Sequence, residues 1–176
     1  MTNNRMLWSL SYRNDPTARE LADRHYSRKT IGASGFTPPG RCLVLYAKTK
    51  SGKAYWVTSY QYTEYVKHAW AGAWLCSAFR NEGAGIASEL IKDAIAATRS
   101  YFGEPPDLGM ITFINRKKVK PIYVHGKPQW GWTWEKCGFV PVGETKSGLL
   151  VMQVLPDKMP PPDMALNTQY DFFIKP

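Results

Sequence analysis

Between Ser77 and Leu90 the sequence reads SAFRNEGAGIASEL, in which a run of small and apolar residues ends at an arginine. The segment Arg80–Gly85 fits the pattern R-x-x-G-x-G, between an expected strand and an expected helix. Glycine permits positive φ and lets a ligand approach the main chain closely. The first turn of a helix offers unpaired N–H groups and a partial positive charge. The pattern therefore predicts a phosphate or pyrophosphate site, with a plain tight turn as the alternative.

A second segment whose residue types could bind a ligand is the basic, aromatic stretch Asn115–Trp134, which is expected to be a loop. Its cations would contact DNA phosphates and make the affinity depend on salt. Its aromatic rings would stack on bases, and the resemblance given below implies a base turned out of the duplex. The residues concerned are Arg116, Lys117, Lys118, Lys120, Tyr123, His125, Lys127, Trp130, Trp132 and Trp134. The alternative is a solvated run of charge beside tryptophans of the core.

The composition fits one globular domain with a polyanionic partner. The chain has 176 residues, and 23 Lys+Arg against 14 Asp+Glu give a net charge of +9, which predicts nucleic acid or an acidic cofactor as partner. A basic protein that binds neither is the alternative. Three cysteines without CxxC spacing indicate free thiols in a reducing cytoplasm. No apolar run approaches the roughly 20 residues of a membrane span, and the histidine spacing predicts no metal site.

Strands and helices must hold these segments in place. A first strand is expected over Met6–Arg13, and Asp15 followed by proline predicts the start of a helix. Two β-rich runs around KSGK predict a hairpin, and a third run, residues 69–79, leads into the glycine turn. The next helix is expected to carry Ile86 on its apolar face and to precede a buried strand over Met110–Ile114. A last strand pair surrounds TKSG.

The expected element order is therefore β-α-loop-β-β-β-α-β-α-β-β. This order describes an α/β (α+β) protein with a mixed sheet and helices on its faces. Residues 1–155 are assigned to one domain, and residues 156–176 to a tail packed on it that is proline-rich and then aromatic. The aromatic tail residues expected to dock are Tyr170, Phe172 and Phe173.

The glycine segment resembles the GNAT superfamily of N-acyltransferases, whose R/Q-x-x-G-x-G/A loop follows the fourth strand and binds the pyrophosphate of acetyl-CoA. MITFIN resembles the fifth strand of that family, and WEKCGF resembles its Y-x-K-x-G-F segment. The resemblance implies a mostly antiparallel sheet that splays between the fourth and fifth strands, and acetyl-CoA or a related acyl donor as cofactor. The implied donor-binding residues are Ser77, Phe79, Arg80, Asn81, Glu82, Gly83, Ala84 and Gly85.

One departure from that family affects the chemistry. Trp134 stands where the family has a tyrosine that is taken to protonate the leaving thiolate. An indole N–H is a hydrogen-bond donor but not a usable acid. Tyr123 and His125 are the nearest replacements in sequence.

Four short segments together resemble the Mom-type DNA modification proteins of bacteriophages, namely ADRHYSR, FTPPGR, FRNEG and TFIN. Those are GNAT-like proteins that act on a base in double-stranded DNA. This resemblance implies a transferase for an exocyclic amine such as adenine N6, in a host cytoplasm. His25 would be a general base, Tyr26 would stack on or bond the base, and Ser27 would orient it. Asn115 replaces a carboxylate of the family, so the adduct is not implied. The implied DNA contacts near the triplet are Arg24, Arg28 and Lys29.

Two other functions stay open at this point. An acetyl-CoA-dependent N-acetyltransferase of a small amine, a protein lysine or an already modified base would use the same donor site. A basic DNA-binding protein without enzymatic activity would also fit, because Trp134 removes the expected acid. The sequence leaves the oligomeric state open, a dimer included.

Overall fold

The computed structural model of the protein describes residues 5–168. Its strands are β1 Ser9–Leu10, β2 Arg41–Lys48, β3 Lys53–Tyr60, β4 Trp74–Glu82, β5 Met110–Ile114, β6 Ile122–Val124, β7 Lys127–Gln129, β8 Val140–Glu144 and β9 Leu150–Val154. Seven of them form one sheet of order β1-β2-β3-β4-β5-β9-β8, and β6 pairs with β7 alone. All pairs are antiparallel except β4 with β5. The protein is thus a mixed α/β fold with a mostly antiparallel sheet.

The described helices are few. They are α1 Pro16–Asp23, α2 Ala87–Phe102 and α3 Trp132–Glu135, with 3-10 turns at Thr63–Tyr65 and Pro156–Lys158. α1 begins as predicted, because the Asp15 carboxylate accepts the N–H of Thr17 at 2.9 Å. Neither α2, the longest helix, nor any other helix of residues 5–168 has the length and apolar character of a membrane span.

The two faces of the sheet are covered by different helices. α2 packs Leu90, Ile91 and Ile95 against one face, where the buried Trp8 donates its indole N–H to the Leu90 carbonyl at 2.8 Å. α1 packs on the opposite face over β2, β3 and β4. Thr98, the polar member of the α2 core face, is buried and hydrogen-bonded to the Ala94 carbonyl at 2.7 Å. This hydrogen bond therefore offsets the cost of removing the hydroxyl from water.

Several element bounds differ from the predicted ones. The first strand is only β1, and β4 starts at Trp74 and extends to Glu82, so residues 80–82 of the predicted turn belong to the strand. Ile86 lies before α2 and is 63% exposed, not on the core face. The alanines and Gly72 that precede Trp74 do not pair, since they lack the β-branched side chains that favour strands.

The stretch predicted as a loop contains a hairpin. β6 and β7 are joined by His125 and Gly126, whose φ angles are 49° and 75°. Positive φ at both central residues is the requirement of a two-residue type I′ hairpin turn. The prediction missed it because three-residue strands containing lysine, proline and glutamine show no hydrophobic alternation.

The described part of the tail packs against the domain. Leu166 pairs with β1 through a parallel bridge to Ser9, and the Asp163 N–H donates to the Ala96 carbonyl of α2 at 3.1 Å. Met159 and Ala165 are buried in the core on the α2 face. The predicted docking residues Tyr170, Phe172 and Phe173 lie outside the described residues.

Candidate functional site

The two parallel strands separate after a short ladder. Their pairing begins at Trp74 with Met110 and ends at Cys76 with Thr112, although both strands continue beyond these residues. The last link between them is the hydrogen bond from the Thr112 hydroxyl to the Cys76 carbonyl, at 3.2 Å. A gap therefore opens in the sheet where the parallel ladder stops.

A bulge in β4 lies at the edge of this gap. On the β3 side, Cys76 pairs with Thr58 and Ala78 pairs with Val57, which leaves Ser77 as an extra residue. A bulge bends its strand and increases its twist. The bend begins one residue after the last pair with β5, so it accounts for the separation of β4 from β5.

One cavity of about 270 Å³ lies in the gap. Ala78, which belongs to the core on the α1 face, lines it together with Phe79 and Ile114, which pack on the α2 face. The cavity therefore connects both faces of the sheet. Its α1 side is lined by His25 and Tyr26, and its α2 side by residues 130–134.

Tryptophans form the α2 side of the cavity. Trp134 packs against Trp56, Phe79 and Phe139 with ring centroids 6.0, 6.1 and 5.1 Å apart. This residue is therefore a wall shared by the core and the cavity. Trp132, by contrast, is 45% exposed at the mouth.

Tyr26 bridges the gap from the α1 side. The Trp74 N–H donates to the Gly109 carbonyl at 2.9 Å, and every second carbonyl of a strand faces the same neighbour. The Phe113 carbonyl therefore faces β4 as well, where the ladder has already ended. It accepts the Tyr26 hydroxyl at 3.1 Å instead. Burial raises the pKa of this phenol, so it stays a hydrogen-bond donor.

His25 is stacked on Tyr26 with ring centroids 4.5 Å apart. Its Nδ1 accepts the Ser27 N–H at 3.2 Å and lies 2.7 Å from the Ser27 hydroxyl. A neutral imidazole with Nδ1 as acceptor carries its proton on Nε2. The ring therefore offers an N–H donor, and the predicted general-base role would require the other tautomer. Ser27 itself does not line the cavity.

The pKa of His25 is lowered to about 4. Burial is the main cause, and the positive charge of Arg80 adds to it, while a backbone contact with Phe79 acts weakly in the opposite direction. The ring is consequently neutral at pH 7.

Arg80, predicted for donor binding, and Arg24, predicted for DNA binding, are both paired with one carboxylate of the protein at its surface. The Glu82 carboxylate accepts Arg24 Nε at 2.6 Å and Nη2 at 2.8 Å, and Arg80 Nε at 2.7 Å. Hydrogen bonds from these guanidinium groups lower the pKa of Glu82 to about 2. Arg80 also donates to the Arg24 carbonyl at 2.9 Å. This cluster ties the end of α1 to β4.

The glycine turn is braced by side chains and does not line the cavity. Asn81 donates to the Gly85 carbonyl at 2.8 Å and accepts the Ala84 N–H at 3.0 Å, while the Ser51 hydroxyl donates to the Gly83 carbonyl at 2.8 Å. Gly83 has a φ of 81°, which favours glycine.

Beyond the turn, the main-chain N–H groups of residues 86–89 have no acceptor among the described residues, because the first helical bond is from the Leu90 N–H. The segment after α3 reaches this helix start, since the Cys137 thiol lies 3.2 Å from the Ser88 carbonyl. The start of α2 therefore adjoins the segment that follows α3, and α3 itself lines the cavity with Trp132, Thr133 and Trp134.

Other predicted DNA contacts serve the fold. Arg28 is almost buried and donates to Asp23 at 2.7 Å and to the carbonyls of Ala33 and Gly35 at 2.6 and 2.8 Å. It organises the long loop before β2. Arg116 is paired with Glu144.

The predicted lysines lie around the cavity mouth or are exposed. Lys120 lines the mouth, and Lys118 donates to the Tyr26 carbonyl at 3.4 Å. The remaining ones, Lys29, Lys117 and Lys127, are exposed.

Two predicted catalytic residues stand apart from the cavity. Asn115 accepts the Lys117 N–H at 3.1 Å in a local turn and does not line the cavity. Tyr123 is 71% exposed, and strand alternation places it on the opposite hairpin face from Ile122, which does line the cavity. Tyr123 therefore does not lie where it could supply the acid that the resemblance implies at position 134.

Sequence reasoning missed several lining residues. Thr112 and Phe113 were expected only as parts of a buried strand, and Ile122, Gln129 and Thr133 were not considered. The dipeptide His125–Gly126 could have indicated the hairpin that positions two of them, because glycine at the second central position favours a tight turn.

Among residues 5–168, no three metal-binding side chains lie together. The chain matches no protein-family model, and no curated protein or solved structure is significantly similar to it. The resemblance to N-acyltransferases therefore stays a prediction.

Proposed function

We propose that this protein is a GNAT-like transferase that modifies an exocyclic amine of a base in double-stranded DNA. The cavity that connects the two faces of the sheet supports the proposal most strongly. A group-transfer enzyme must bring two reactants together, and a passage through the gap between β4 and β5 allows them to approach from opposite faces.

The α1 side of the cavity suits a planar acceptor. The stacked rings of His25 and Tyr26 and the ring of Phe113 provide aromatic contacts at this end, and aromatic contacts hold bases without sequence preference. Enzymes that act on a base must turn it out of the duplex into such a pocket.

The α2 side suits the donor. The free N–H groups of residues 86–89 form a cradle for phosphate at the start of a 16-residue helix. This part of the chain fits a pyrophosphate group, whereas Arg80 is already held by Glu82. The phosphate contacts would therefore come from the main chain. A bound acyl-CoA would supply a thioester carbon that an amine can attack.

The contribution of the protein to the reaction would be positioning and charge stabilisation. The main-chain N–H groups of β4 that face β5 beyond the bulge have no partner on β5, so they would be available to an oxygen that becomes negative during transfer. One such donor is typically worth about 3–4 kcal/mol. The aromatic walls would exclude water from the reacting atoms.

Mass spectrometry of nucleosides tests the proposal. DNA from cells expressing the chain should contain a nucleoside of increased mass, and DNA from cells expressing His25→Ala should contain less of it or none. The His25→Ala protein must still be folded, as judged by circular dichroism. Unmodified DNA from cells that contain folded wild-type protein would contradict the proposal.

An N-acetyltransferase of a small amine is the second candidate. The observation in its favour is the cavity volume of about 270 Å³, which is just below the roughly 300–1,000 Å³ usual for small-molecule sites. Consumption of acetyl-CoA with free amines, together with unmodified DNA, would support this candidate instead.

A further inference from the structure

We propose that the β6–β7 hairpin enters the DNA duplex beside the extruded base and packs its Tyr123–Pro128 face against the neighbouring base pair. This inference rests on the proposed function, because it assumes that duplex DNA is the substrate. It assigns the hairpin the task of filling the space that an extruded base leaves behind.

The hairpin stands at the mouth of the cavity and outside the main sheet. Its first residue pair, Ile122 with Gln129, lines the cavity. The segment before it is held by the indole N–H of Trp130, which donates to the Val119 carbonyl at 2.8 Å. The base of the hairpin is thus fixed, and its turn lies two residue pairs farther along the strands.

The two faces of the hairpin differ in their surroundings. Tyr123 is paired with Pro128 on the face opposite the cavity-lining pair, and both are exposed. An exposed aromatic ring opposite a proline forms a flat apolar surface that contributes little to a core. Such a surface matches the face of a base pair, on which aromatic and apolar side chains pack when they wedge between base steps.

The shape of the hairpin matches the major groove. A two-stranded β-ribbon fits this groove, where adenine also presents its N6 amine. The turn consists only of His125 and Gly126, so the tip is narrow. Entry from this groove would bring the hairpin to the same side of the duplex as the amine to be modified.

Charge complementarity favours DNA as the partner of this surface. Lys127 follows the turn directly, and Lys117 and Lys120 are exposed near the other end of the hairpin. None of these three lysines is in an ion pair among the described residues. They are therefore available to phosphates on either side of the insertion point.

The test compares two duplexes that differ only at one adenine, which is either paired with thymine or placed opposite an abasic site. Fluorescence anisotropy gives the affinity of the wild-type chain, of Tyr123→Ala, and of the control Tyr101→Ala, which alters an exposed tyrosine on α2. An unpaired base is cheaper to extrude. We expect Tyr123→Ala to bind both duplexes about tenfold more weakly, because the packing contact that is lost is the same whether or not the extruded adenine was paired, and Tyr101→Ala to bind both as tightly as wild type.

No loss on either duplex would overturn the insertion proposal while leaving DNA as the substrate. Failure of the wild-type chain to bind either duplex would overturn the proposed function and this inference together. A loss in Tyr101→Ala equal to that in Tyr123→Ala would also count against insertion.

Discussion

His25 and Tyr26 show how single residues prepare the cavity. Each uses one polar atom to hold the local structure: Nδ1 of His25 binds Ser27, and the Tyr26 hydroxyl binds the Phe113 carbonyl. Their stacked rings remain as one wall of the cavity. The two residues therefore combine a structural role with the ability to contact a ligand.

The low pKa of His25 has a consequence for stability. In the unfolded chain the ring titrates near 6.5, whereas in the folded protein it titrates at about 4. Between these values the unfolded state binds more protons, so the free energy of unfolding should fall as the pH falls from 6.5 to 4. Replacing His25 with glutamine should reduce this slope, as measured by urea unfolding at several pH values.

Asp93 titrates in the same pH range, but its effect on the free energy of unfolding has the opposite sign. Burial, and then the nearby charges of Asp163 and Glu89, raise its pKa to about 6. It is present in both proteins, so the difference between the wild-type and His25→Gln slopes isolates the histidine. Identical slopes would show that His25 is not protected from protonation.

The Tyr26 hydroxyl gives a second prediction for a single residue. Tyr26→Phe removes the donor to the Phe113 carbonyl and should lower the free energy of unfolding by about 1 kcal/mol. Amide hydrogen exchange in β5 should become faster, because that end of the strand loses its link across the gap. The control Tyr12→Phe alters an exposed ring. Equal stability of Tyr26→Phe and wild type would refute the bridging role.

At the scale of elements, the site depends on the joint between β4 and α2. The turn between them packs against the β2–β3 hairpin. The Ser51 hydroxyl donates a hydrogen bond to the Gly83 carbonyl, and the Thr49 hydroxyl donates one to the Ala84 carbonyl at 3.0 Å. Gly52 lies against the same turn. The hairpin thus supports the main chain that presents the start of α2.

Substitution of Gly52 tests this support. An alanine Cβ there would overlap the Glu82 carbonyl oxygen and lie 2.6 Å from the Gly83 carbonyl carbon, so the turn must move. Such overpacking costs about 1–3 kcal/mol. We expect Gly52→Ala to lower stability by that amount in urea unfolding and to weaken acetyl-CoA binding in calorimetry.

Gly35→Ala is a matched control. Neither glycine has positive φ, but a Cβ at Gly35 would only touch the Asn14 side chain at 3.7 Å. Its stability should stay within about 0.5 kcal/mol of wild type. Comparable losses in the two variants would show that contact with the turn is not the cause.

The elements also show what a sequence can reveal. The cap at Asp15, the KSGK and TKSG hairpins and the long helix were predictable because each depends on local propensity and periodicity. The cavity was not predictable from local patterns, because it results from a register shift at Ser77 and from strands distant in sequence; only the family resemblance implied that the fourth and fifth strands separate. The pairing of Arg80 with Glu82 and Arg24 was likewise hidden, since it depends on how α1 meets β4.

At the scale of the whole molecule, the net charge of +9 is divided into two classes of cation. Arg24, Arg28 and Arg116 are in ion pairs with carboxylates. Lysines at the cavity mouth and on the hairpin are not paired among the described residues. Around the cavity, the positive charge that DNA would meet therefore comes from lysines, which act as point charges and confer no base preference.

This division predicts how affinity depends on salt. If Lys117 and Lys120 each neutralise one phosphate, replacing both with glutamine should reduce the slope of log K against log salt by about 1.8. Lys50→Gln, at the β2–β3 turn, should leave the slope unchanged. Anisotropy titrations of one duplex at several salt concentrations measure these slopes. An unchanged slope in the double variant would place the DNA on another surface, since a contact that displaces counterions cannot be lost without a change in slope.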